Sequence, residues 1–347
     1  MSTVHTQPLR FAVVGGGWMG QLHARCIEAD PRATIVAVAE PAQHTSEVFR
    51  RQFPNAIAFP SLADLLAGIE CEVVTICTPS GMHADQTVLA LDAGRHVVVE
   101  KPIATSPLDA RRMVQASEQT GLTLSVIHQY RFNRDALRLK RAIERNLLGR
   151  ILIANAFVFC KREQGYFTEN DAWRANWQTN GGGVLINQAI HAVDLLQWMF
   201  GPALSAAAVA DNLVHGNIEG EDTITAVVTF ENGAQGVLQA SQAASRNLPL
   251  RLEIVGTDGR AIYERSRLTT WEVEDEVTLL TPEERATFPR ISADQEPFGP
   301  AHERQFAAIV SALLAGQIPE VRGADASRSL EVVASVYESA GLWSYAA

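Results

Sequence analysis

The sequence has few cysteines and no long apolar run. Its four cysteines form no Cys-x-x-Cys pair, so the usual ligand spacing of a zinc site is absent. Cys26, Cys71 and Cys77 stand among apolar residues, where we expect them to pack as small hydrophobic side chains. No apolar stretch approaches the roughly 18 residues that a membrane helix needs, and the start MSTVHTQPLR lacks the apolar segment of a secretion signal. We therefore expect a reduced, cytoplasmic protein without a membrane partner.

Positive charge is also scarce. The 347 residues include 29 Lys and Arg against 39 Asp and Glu, which gives a net charge of −10 without any basic run. Binding to a phosphate backbone requires the opposite balance, so we expect no nucleic-acid partner. The remaining composition, 47% hydrophobic and 20% charged, is ordinary for a globular protein of about two domains.

Residues 1–126 alternate strand-like and helix-like segments. Near-continuous apolar runs predict strands at LRFAVV, ATIVAVAE, EVVTIC, HVVVE and LTLSVI. Helical patterns lie between them at residues 18–30, 82–93 and 107–120. This alternation predicts an α/β domain with a doubly wound parallel sheet, covered by helices on both faces.

Residues 127–347 have a different pattern. Strand-like runs follow one another, with turn signals such as Asn232-Gly233 and Asp258-Gly259 between them: ILIANAFVFC, ALSAAAVADNLV, DTITAVVTF, GAQGVLQAS, LRLEIVGT and GRAIYE. The helices of this part are predicted at about residues 133–147, 181–201, 300–315 and 325–343. We therefore expect an α+β domain on a large, mainly antiparallel sheet.

A glycine-rich turn follows the first predicted strand. The segment GGGWMG places Gly15, Gly17 and Gly20 in G-x-G-x-x-G spacing, directly before the helix QLHARCIEA. In this pattern the first glycine permits a tight turn, the second lets a pyrophosphate approach, and the third lets the helix pack on the strand. The helix N-terminus then offers N–H groups and partial positive charge to the anion. We predict a dinucleotide site here that includes Trp18 and Met19.

An acidic residue ends the second predicted strand. Glu40 lies about 20 residues beyond the glycine turn, where a carboxylate accepts hydrogen bonds from the adenosine ribose hydroxyls. A carboxylate there repels a 2′-phosphate, and the following Pro41, Ala42 and Gln43 include no arginine that would bind one. The sequence therefore favours NAD over NADP.

The predicted helix at residues 181–201 carries a polar stripe. GGGVLINQAIHAVDLLQWMFG has apolar helical spacing and a C-terminal glycine, yet Asn187, His191 and Asp194 stand at i, i+4 and i+7. On a regular α-helix these three side chains lie along one line. Either they satisfy one another in the core, or they face a substrate.

Four ordered motifs resemble those of one enzyme family. The glycine loop, TPSGMH at residues 78–83, GRHVVVEKPIA at residues 94–104 and the helix at residues 181–201 are similar to segments of glucose–fructose oxidoreductase, inositol 2-dehydrogenase and the MocA rhizopine-catabolism protein. The resemblance to this Gfo/Idh/MocA family spans most of the chain. It implies an N-terminal Rossmann domain and a second domain whose open sheet is the oligomer interface, hence a homodimer or homotetramer.

The resemblance also implies roles for individual residues. Further cofactor contacts fall on Thr78, Pro79, His83, Glu100 and Lys101. Lys101, in the Glu-Lys-Pro segment, is placed beside both the nicotinamide and the substrate. The family helix usually has Asp, His and Asp at the positions of the polar stripe, and this chain has Asn187 in place of the first Asp.

These residue types suit the oxidation of an alcohol. The hydride moves to nicotinamide while a base takes the hydroxyl proton, and burial beside oxidised nicotinamide favours the neutral amine of Lys101. An amide does not stabilise an imidazolium as a carboxylate does, which argues against a full Lys–Asp–His relay. We predict Lys101 as the main general base, with His191 and Asn187 as the other catalytic residues. Asp194 is expected to orient the imidazole or to bind nearby backbone.

Two other segments contain candidate substrate contacts. SVIHQYRFNR includes His128, Gln129 and Arg131, and DAWRANW includes Trp173 and Arg174. A Trp face suits the apolar side of a sugar, and an Arg suits hydroxyls or a carboxylate. Each of these residues has an equally good structural explanation.

The leading hypothesis is an NAD-dependent dehydrogenase that acts on a secondary hydroxyl of a sugar, sugar derivative or cyclic polyol. One alternative is a glycoside hydrolase that retains NAD and acts by transient oxidation. Another is a non-catalytic NAD-binding sugar sensor, although a sensor does not need both Lys101 and His191. A metal site at His191 and Asp194 lacks a third ligand, so we predict no metal.

Overall fold

The computed structural model describes residues 7–169, 172–273 and 299–342. The described residues form two compact units: residues 7–129 with 299–327, and residues 130–273 with 328–342. No helix in the described ranges is long and apolar enough to cross a membrane.

The helices, in chain order, are α1 (Trp18–Glu28), α2 (Gln43–Gln52), α3 (Leu62–Gly68), α4 (His83–Asp92), α5 (Pro107–Thr120), α6 (Arg134–Glu144), α7 (Gly165–Thr168), α8 (Trp177–Asn180), α9 (Ile190–Phe200), α10 (Pro300–Leu314) and α11 (Gly323–Ser339). A π-helical turn at Leu185–Ala189 leads directly into α9. Short 3₁₀ turns cover Ser80–Met82 and Gln129–Phe132.

A six-stranded parallel sheet lies at the centre of the first unit as described. Its strands are β1 (Leu9–Val14), β2 (Ala33–Ala39), β3 (Ile57–Phe59), β4 (Val73–Ile76), β5 (His96–Val99) and β6 (Leu124–Val126). Their spatial order is β3-β2-β1-β4-β5-β6, so the order reverses beside β1. Doubly wound sheets bind ligands at the carboxyl ends of their strands next to such a reversal.

Apolar residues of this sheet are buried on both faces, which explains their near-continuous runs in the sequence. Phe11 and Val98 pack in one core with Ile27 of α1 and with Phe306 and Ile309 of α10. The predicted parallel sheet and its α1, α4 and α5 helices are confirmed. The sequence does not predict β3, because three residues are too few to show a period.

The second unit contains a seven-stranded mixed sheet within the described residues. Its strands are β7 (Ile151–Phe159), β8 (Ala203–Asp211), β9 (Thr223–Phe230), β10 (Gln235–Ser241), β11 (Arg251–Gly256), β12 (Gly259–Glu264) and β13 (Arg267–Val273). The spatial order is β13-β12-β11-β7-β10-β9-β8, and only the β7–β10 pair is parallel among these described strands. This confirms the mainly antiparallel sheet, to which the structure adds β13.

The two faces of this sheet differ. Along β9, buried and more exposed residues alternate, with Ala226 and Val228 on the buried face and Val227 half exposed on the other. Helix α9 contacts β7 on the buried side. The exposed face carries apolar side chains such as Val209, and it accounts for the open sheet expected from the sequence.

The helix predicted at residues 181–201 contains an irregularity that the sequence does not indicate. A π-turn takes one more residue per turn than an α-helix, so Asn187 and His191 are not separated by one α-turn. The regular α-helix predicted over residues 181–201 is therefore a π-turn that leads into α9 at Ile190. Gly201 does end the helix, with φ of +83°.

The division of the chain differs in two respects from the predicted domains, 1–126 and 127–347. The first unit extends to residue 129 and also includes residues 299–327. The reason is α10, whose Phe306 is fully buried against α1 in the core of the parallel sheet.

Candidate active site

The glycine turn after β1 lies in close backbone contact with the segment after β4 and with the start of α1. Gly15 has φ of +90°, and a Cβ there would lie 2.9 Å from the carbonyl oxygen of Cys77. A Cβ at Gly20 would lie 2.0 Å from the carbonyl oxygen of Gly15. The start of α1 can approach the turn only because these positions have no side chain.

Gly17 is glycine for another reason. It is the N-cap residue of α1, and no described atom beyond its chain neighbours lies within 4 Å of where its Cβ would stand. A side chain here would project over the helix N-terminus, where a pyrophosphate binds in this type of turn. The exposed Trp18 and the half-buried Met19 begin α1 and include no acidic group that would repel an anion.

Glu40 lies at the carboxyl end of β2, next to the glycine turn. Its carboxylate accepts hydrogen bonds from the N–H groups of Gly16 and Ala42, each at 2.9 Å. A carboxylate has about four lone-pair sites, so these two bonds leave capacity for ribose hydroxyls. The open space over Gly17 and the fixed carboxylate of Glu40 thus fit the pyrophosphate and adenosine ribose of NAD.

Lys101 follows β5 and is half-buried, and its peptide bond to Pro102 is cis. The preceding Glu100 is 6% exposed and accepts hydrogen bonds from the Lys101 N–H at 3.0 Å and from His23 Nε2 at 2.8 Å. Burial opposes ionisation of Glu100, but the hydrogen bond and charge of His23 outweigh it and lower its pKa to about 2. Lys101 therefore lies next to a fixed negative charge.

The imidazole of His23 connects Glu100 to the neighbouring strand. Its Nδ1 lies 2.8 Å from the hydroxyl oxygen of Thr75 and 3.1 Å from the Sγ of Cys77. Because a carboxylate only accepts, Nε2 of His23 donates to Glu100. Cys77 is therefore part of a polar cluster, whereas Cys26 packs in the apolar core as expected, and Cys71 is buried next to Arg95.

His83 joins the two loops that the sequence assigned to the cofactor. It is buried, with Nδ1 2.9 Å from the carbonyl oxygen of Pro102 and Nε2 3.0 Å from that of Thr78. Burial lowers the pKa of His83. Because a neutral imidazole has one N–H, it donates to one of these carbonyl oxygens and lies between the Thr78–Pro79 segment and the segment that contains Lys101, which is a positioning role.

Within the second unit, a buried carboxylate holds the start of the π-turn. Glu221 accepts hydrogen bonds from the N–H groups of Gly183 at 2.9 Å and Leu185 at 2.8 Å, and from the Tyr337 hydroxyl at 3.0 Å. Burial raises the pKa of Glu221 to about 7, although these hydrogen bonds oppose the rise. A Cβ at Gly183 would lie 1.8 Å from the Glu221 carbonyl oxygen, so the two segments are in direct backbone contact.

Asn187 lies in the π-turn, and both polar atoms of its side-chain amide are hydrogen-bonded. Its Nδ2 donates to Asn180 Oδ1 at 2.6 Å. Its Oδ1 accepts from Gln188 Nε2 at 2.6 Å and from the Tyr166 hydroxyl at 3.2 Å. The side-chain amide is therefore held in one orientation, and the donor-acceptor pattern also fixes which atom is oxygen.

Asp194 and Arg131 form a buried ion pair. Arg131 donates to both oxygens of Asp194, at 2.8 and 2.6 Å, and the Ser329 hydroxyl donates to Oδ1 at 2.8 Å. With the carboxylate 1% and the arginine 3% exposed, the pair gives both residues a structural role in this unit. His191 is half-buried, and its ring centroid lies 4.9 Å from that of Tyr130.

The other sequence candidates lie in different surroundings. His128 and Gln129 are buried, and the N–H of His128 donates to Gln305 Oε1 at 3.2 Å. Trp173 and Arg174 are half-buried and stacked, with the guanidinium carbon 4.4 Å from the Trp ring centroid. Among the residues described, no group of three His, Cys, Asp or Glu side chains is placed to hold a metal ion.

Sequence reasoning missed several side chains that organise these regions. His23, Tyr166, Glu221 and Tyr337 each bind a residue far away along the chain, and no local motif marks them. One signal was available: a Glu that ends an otherwise apolar strand, as Glu100 does in HVVVE, needs a buried partner.

The parallel sheet and the glycine turn define a dinucleotide-binding Rossmann domain. The family model for the oxidoreductase family with an NAD-binding Rossmann fold matches residues 9–128, and the model for the GFO/IDH/MocA C-terminal domain matches residues 136–262. The chain belongs to the Gfo/Idh/MocA oxidoreductase family.

Similar proteins include sugar and inositol dehydrogenases. The chain is 25% identical to scyllo-inositol 2-dehydrogenase (NAD(+)) of Bacillus subtilis (strain 168), over 93% of this chain and 92% of that enzyme. It is 29% identical to D-glucoside 3-dehydrogenase of Escherichia coli (strain K12), over 59% of this chain and 58% of that enzyme, which is less than two thirds of its length.

Among solved structures, the WlbA dehydrogenase from Bordetella pertussis, in complex with NADH and UDP-GlcNAcA, superposes with a TM-score of 0.88. The two chains are 30% identical, and the match covers 98% of this chain and 97% of that one.

Proposed function

We propose that this protein is an NAD-dependent dehydrogenase that oxidises a secondary hydroxyl of a sugar, sugar derivative or cyclic polyol. The observation that carries the proposal is the position of Lys101. It follows β5, and the glycine turn follows β1, so both lie at the carboxyl edge of one parallel sheet. The relatives named above, which include a glucoside and an inositol dehydrogenase, support the substrate class.

Lys101 acts as the general base. Bound NAD supplies the hydride acceptor, and Lys101 takes the hydroxyl proton as the hydride leaves the same carbon. The fixed negative charge of Glu100 stabilises the ammonium that Lys101 then becomes. The His23 bond to Glu100 and the His83 bond to Pro102 hold the lysine segment in place.

His191 and Asn187 act on the substrate rather than on the cofactor. The imidazole of His191 hydrogen-bonds the hydroxyl that is oxidised, and its contact with the Tyr130 ring restricts its orientation. Asn187 is held by Asn180 and Gln188, so it acts as a fixed hydrogen-bonding group and not as a proton carrier.

NAD is preferred to NADP. Glu40 carries a carboxylate at the ribose end of the cofactor site, and its bonds to Gly16 and Ala42 keep that charge in place. A 2′-phosphate would therefore meet a fixed like charge.

The second unit also provides the oligomer interface in this proposal. Val209 and Val227 are 78% and 51% exposed on the open face of the β8–β9 pair, and Val237 lies opposite Val227 on β10. An exposed apolar face of this kind is typical of a contact between subunits. We expect a homodimer or homotetramer.

A substrate panel tests the function. The purified protein is incubated with NAD and a set of sugars, glycosides and cyclic polyols, and NADH is followed by its absorbance at 340 nm. A dehydrogenase produces NADH in proportion to the ketone formed. Cleavage of a glycoside without net NADH would identify the hydrolase, and binding without either reaction would identify the sensor.

A further inference from the structure

Two arginines of the second unit share one aromatic ring. The guanidinium carbon of Arg162 lies 5.1 Å from the ring centroid of Tyr166, and that of Arg174 lies 4.5 Å from it. Arg174 also lies 4.4 Å from the Trp173 ring. Both guanidinium groups, which we call the arginine pair, therefore contact the same Tyr166 ring.

No carboxylate balances this pair among the described residues. Arg162 donates to neutral acceptors: the Lys161 carbonyl oxygen at 2.9 Å, Asn247 Oδ1 at 3.1 Å and Gln188 Oε1 at 2.6 Å. The acidic neighbour Glu163 pairs instead with Lys161 at 2.6 Å. In a protein of net charge −10, where buried Arg131 and the more exposed Arg10 and Arg32 each have a carboxylate, this is a local excess of positive charge.

The arginine pair is continuous with the proposed substrate residues. The Tyr166 hydroxyl donates to Asn187 Oδ1 at 3.2 Å, and Gln188 Nε2 bonds both that hydroxyl at 3.0 Å and Asn187 Oδ1 at 2.6 Å. The same Gln188 accepts from Arg162. Arg174 and Trp173 are half-buried and therefore accessible from one side.

We propose that the substrate of this enzyme carries an anionic group, a carboxylate or a phosphoryl group, that binds the arginine pair. This inference rests on the proposed function, because it describes the molecule whose hydroxyl is oxidised. Guanidinium groups bind such oxyanions through charge-assisted, paired hydrogen bonds, and the Trp173 ring offers an apolar surface to the sugar carbons. Asn187 is hydrogen-bonded to Tyr166 and Gln188, which contact the arginine pair. An anionic group bound at the pair therefore places the sugar ring with the reacting hydroxyl next to Asn187. Sugar acids and sugar phosphates are the two kinds of substrate that carry such a group.

Matched substrates test the proposal on the full-length protein. D-Glucose, D-glucuronate and D-glucose 6-phosphate share ring hydroxyls and differ in charge, as do inositol and inositol phosphate. With NAD present, kcat/KM for at least one anionic member should exceed that of its neutral counterpart by about 100-fold, the scale of two charge-assisted hydrogen bonds. Comparison of the carboxylate substrate with the phosphate substrates then identifies which oxyanion the arginine pair recognises.

Two substitutions locate the effect. Arg174→Gln and Arg162→Gln keep hydrogen-bonding capacity without charge, and each should raise KM for the anionic substrate by about tenfold or more relative to any change for the neutral counterpart. Arg111→Gln, at an exposed arginine of α5, is the matched control and should change neither. Calorimetric titration of the anion into the NADH complex provides a readout without turnover, and thermal melting shows that each variant is folded.

The outcomes separate the two proposals. Equal or better turnover of neutral substrates, with no effect of either substitution, overturns the anionic substrate and leaves the dehydrogenase intact. NAD binding without NADH from any member of the panel overturns the dehydrogenase, and this inference with it.

Discussion

At the scale of single residues, the buried Glu100 carboxylate determines how Lys101 is presented. It binds the Lys101 backbone N–H and the His23 imidazole, so the lysine segment is fixed from behind by residues of β4 and α1. A base held in this way loses little entropy when the substrate binds, which is what proton transfer at a defined atom requires.

Lys101→Ala removes the proposed base. We expect kcat to fall by about 10²-fold or more, because a positioned general base contributes this much to proton transfer. Steady-state NADH formation measures the change. Lys140→Ala, on α6 with its ion pair to Glu144, is the control and should retain the wild-type rate. A Lys101→Ala enzyme with near wild-type kcat would remove Lys101 from the mechanism.

Gly17→Ala separates cofactor binding from folding. The new methyl group meets no described atom within 4 Å beyond the chain neighbours, so thermal stability should stay within about 2 °C of wild type. The Kd for NAD should rise about tenfold, because the methyl group occupies the space of the pyrophosphate. Calorimetric titration measures it. An unchanged Kd would show that the pyrophosphate does not lie over Gly17.

The sequence predicted the residues whose role is local, and it missed those whose partners are distant. Gly15, Gly17 and Gly20 show their function through spacing alone, since a tight turn uses neighbouring residues. His23 and Glu100 are 77 positions apart, and their contact exists because α1 packs against β4, which is the neighbour of β5 in the sheet. The local sequence QLHARC has no feature that predicts a contact between the His23 imidazole and the Glu100 carboxylate.

At the scale of elements, the π-turn before α9 depends on side chains from elsewhere in the second unit. Glu221 and Tyr337 take up the N–H groups of Gly183, Leu185 and Ile186, which have no partners earlier in the helix. Asn187 is one of the residues of this π-turn. π-Turns are frequent at functional sites, and hydrophobic spacing does not distinguish one from a regular α-helix. This is why the sequence indicated a regular α-helix here.

Glu221→Gln tests the proton bound at this turn. The pKa of Glu221 is raised from its ordinary value of 4.5 to about 7, so between these values the folded protein holds a proton that the unfolded chain has released. The free energy of unfolding of the wild type should therefore decrease across this window as pH rises, relative to the variant, by about 1–3 kcal/mol in total. Denaturant unfolding from pH 4.5 to 8 measures the difference. A constant difference would mean that Glu221 does not take up a proton on folding.

The elements themselves were predictable to the extent that their apolar pattern is long. Strands β1, β2 and β5 are buried on both faces and read as continuous runs. Strand β3 has three residues, and β13 mixes buried Leu268 with half-exposed neighbours, so neither stands out from a loop.

At the scale of the whole molecule, the proposed oligomer interface lies on the exposed apolar face of the second unit. Val227→Lys places a charge at the centre of the β8–β9–β10 face, between Ala207 and Val237. Because a buried unpaired charge is costly at an interface, we expect the variant to dissociate into monomers at micromolar concentration. Light scattering after size exclusion measures the mass. Gln317→Lys, at an exposed residue after α10, is the control and should keep the wild-type mass. A Val227→Lys protein with the same mass as the wild type would show that the interface lies elsewhere.

The proposed dehydrogenase activity depends on hydride transfer from a substrate carbon to NAD. The most direct measurement uses the panel member that is turned over, with deuterium at the carbon of the oxidised hydroxyl, and locates the label by NMR and mass spectrometry. We predict one deuterium at C4 of the nicotinamide in the NADH formed, and a matching ketone without deuterium at that carbon. Deuterium in the solvent, or retained in a cleaved sugar with NAD unlabelled at the end of the reaction, would contradict net hydride transfer.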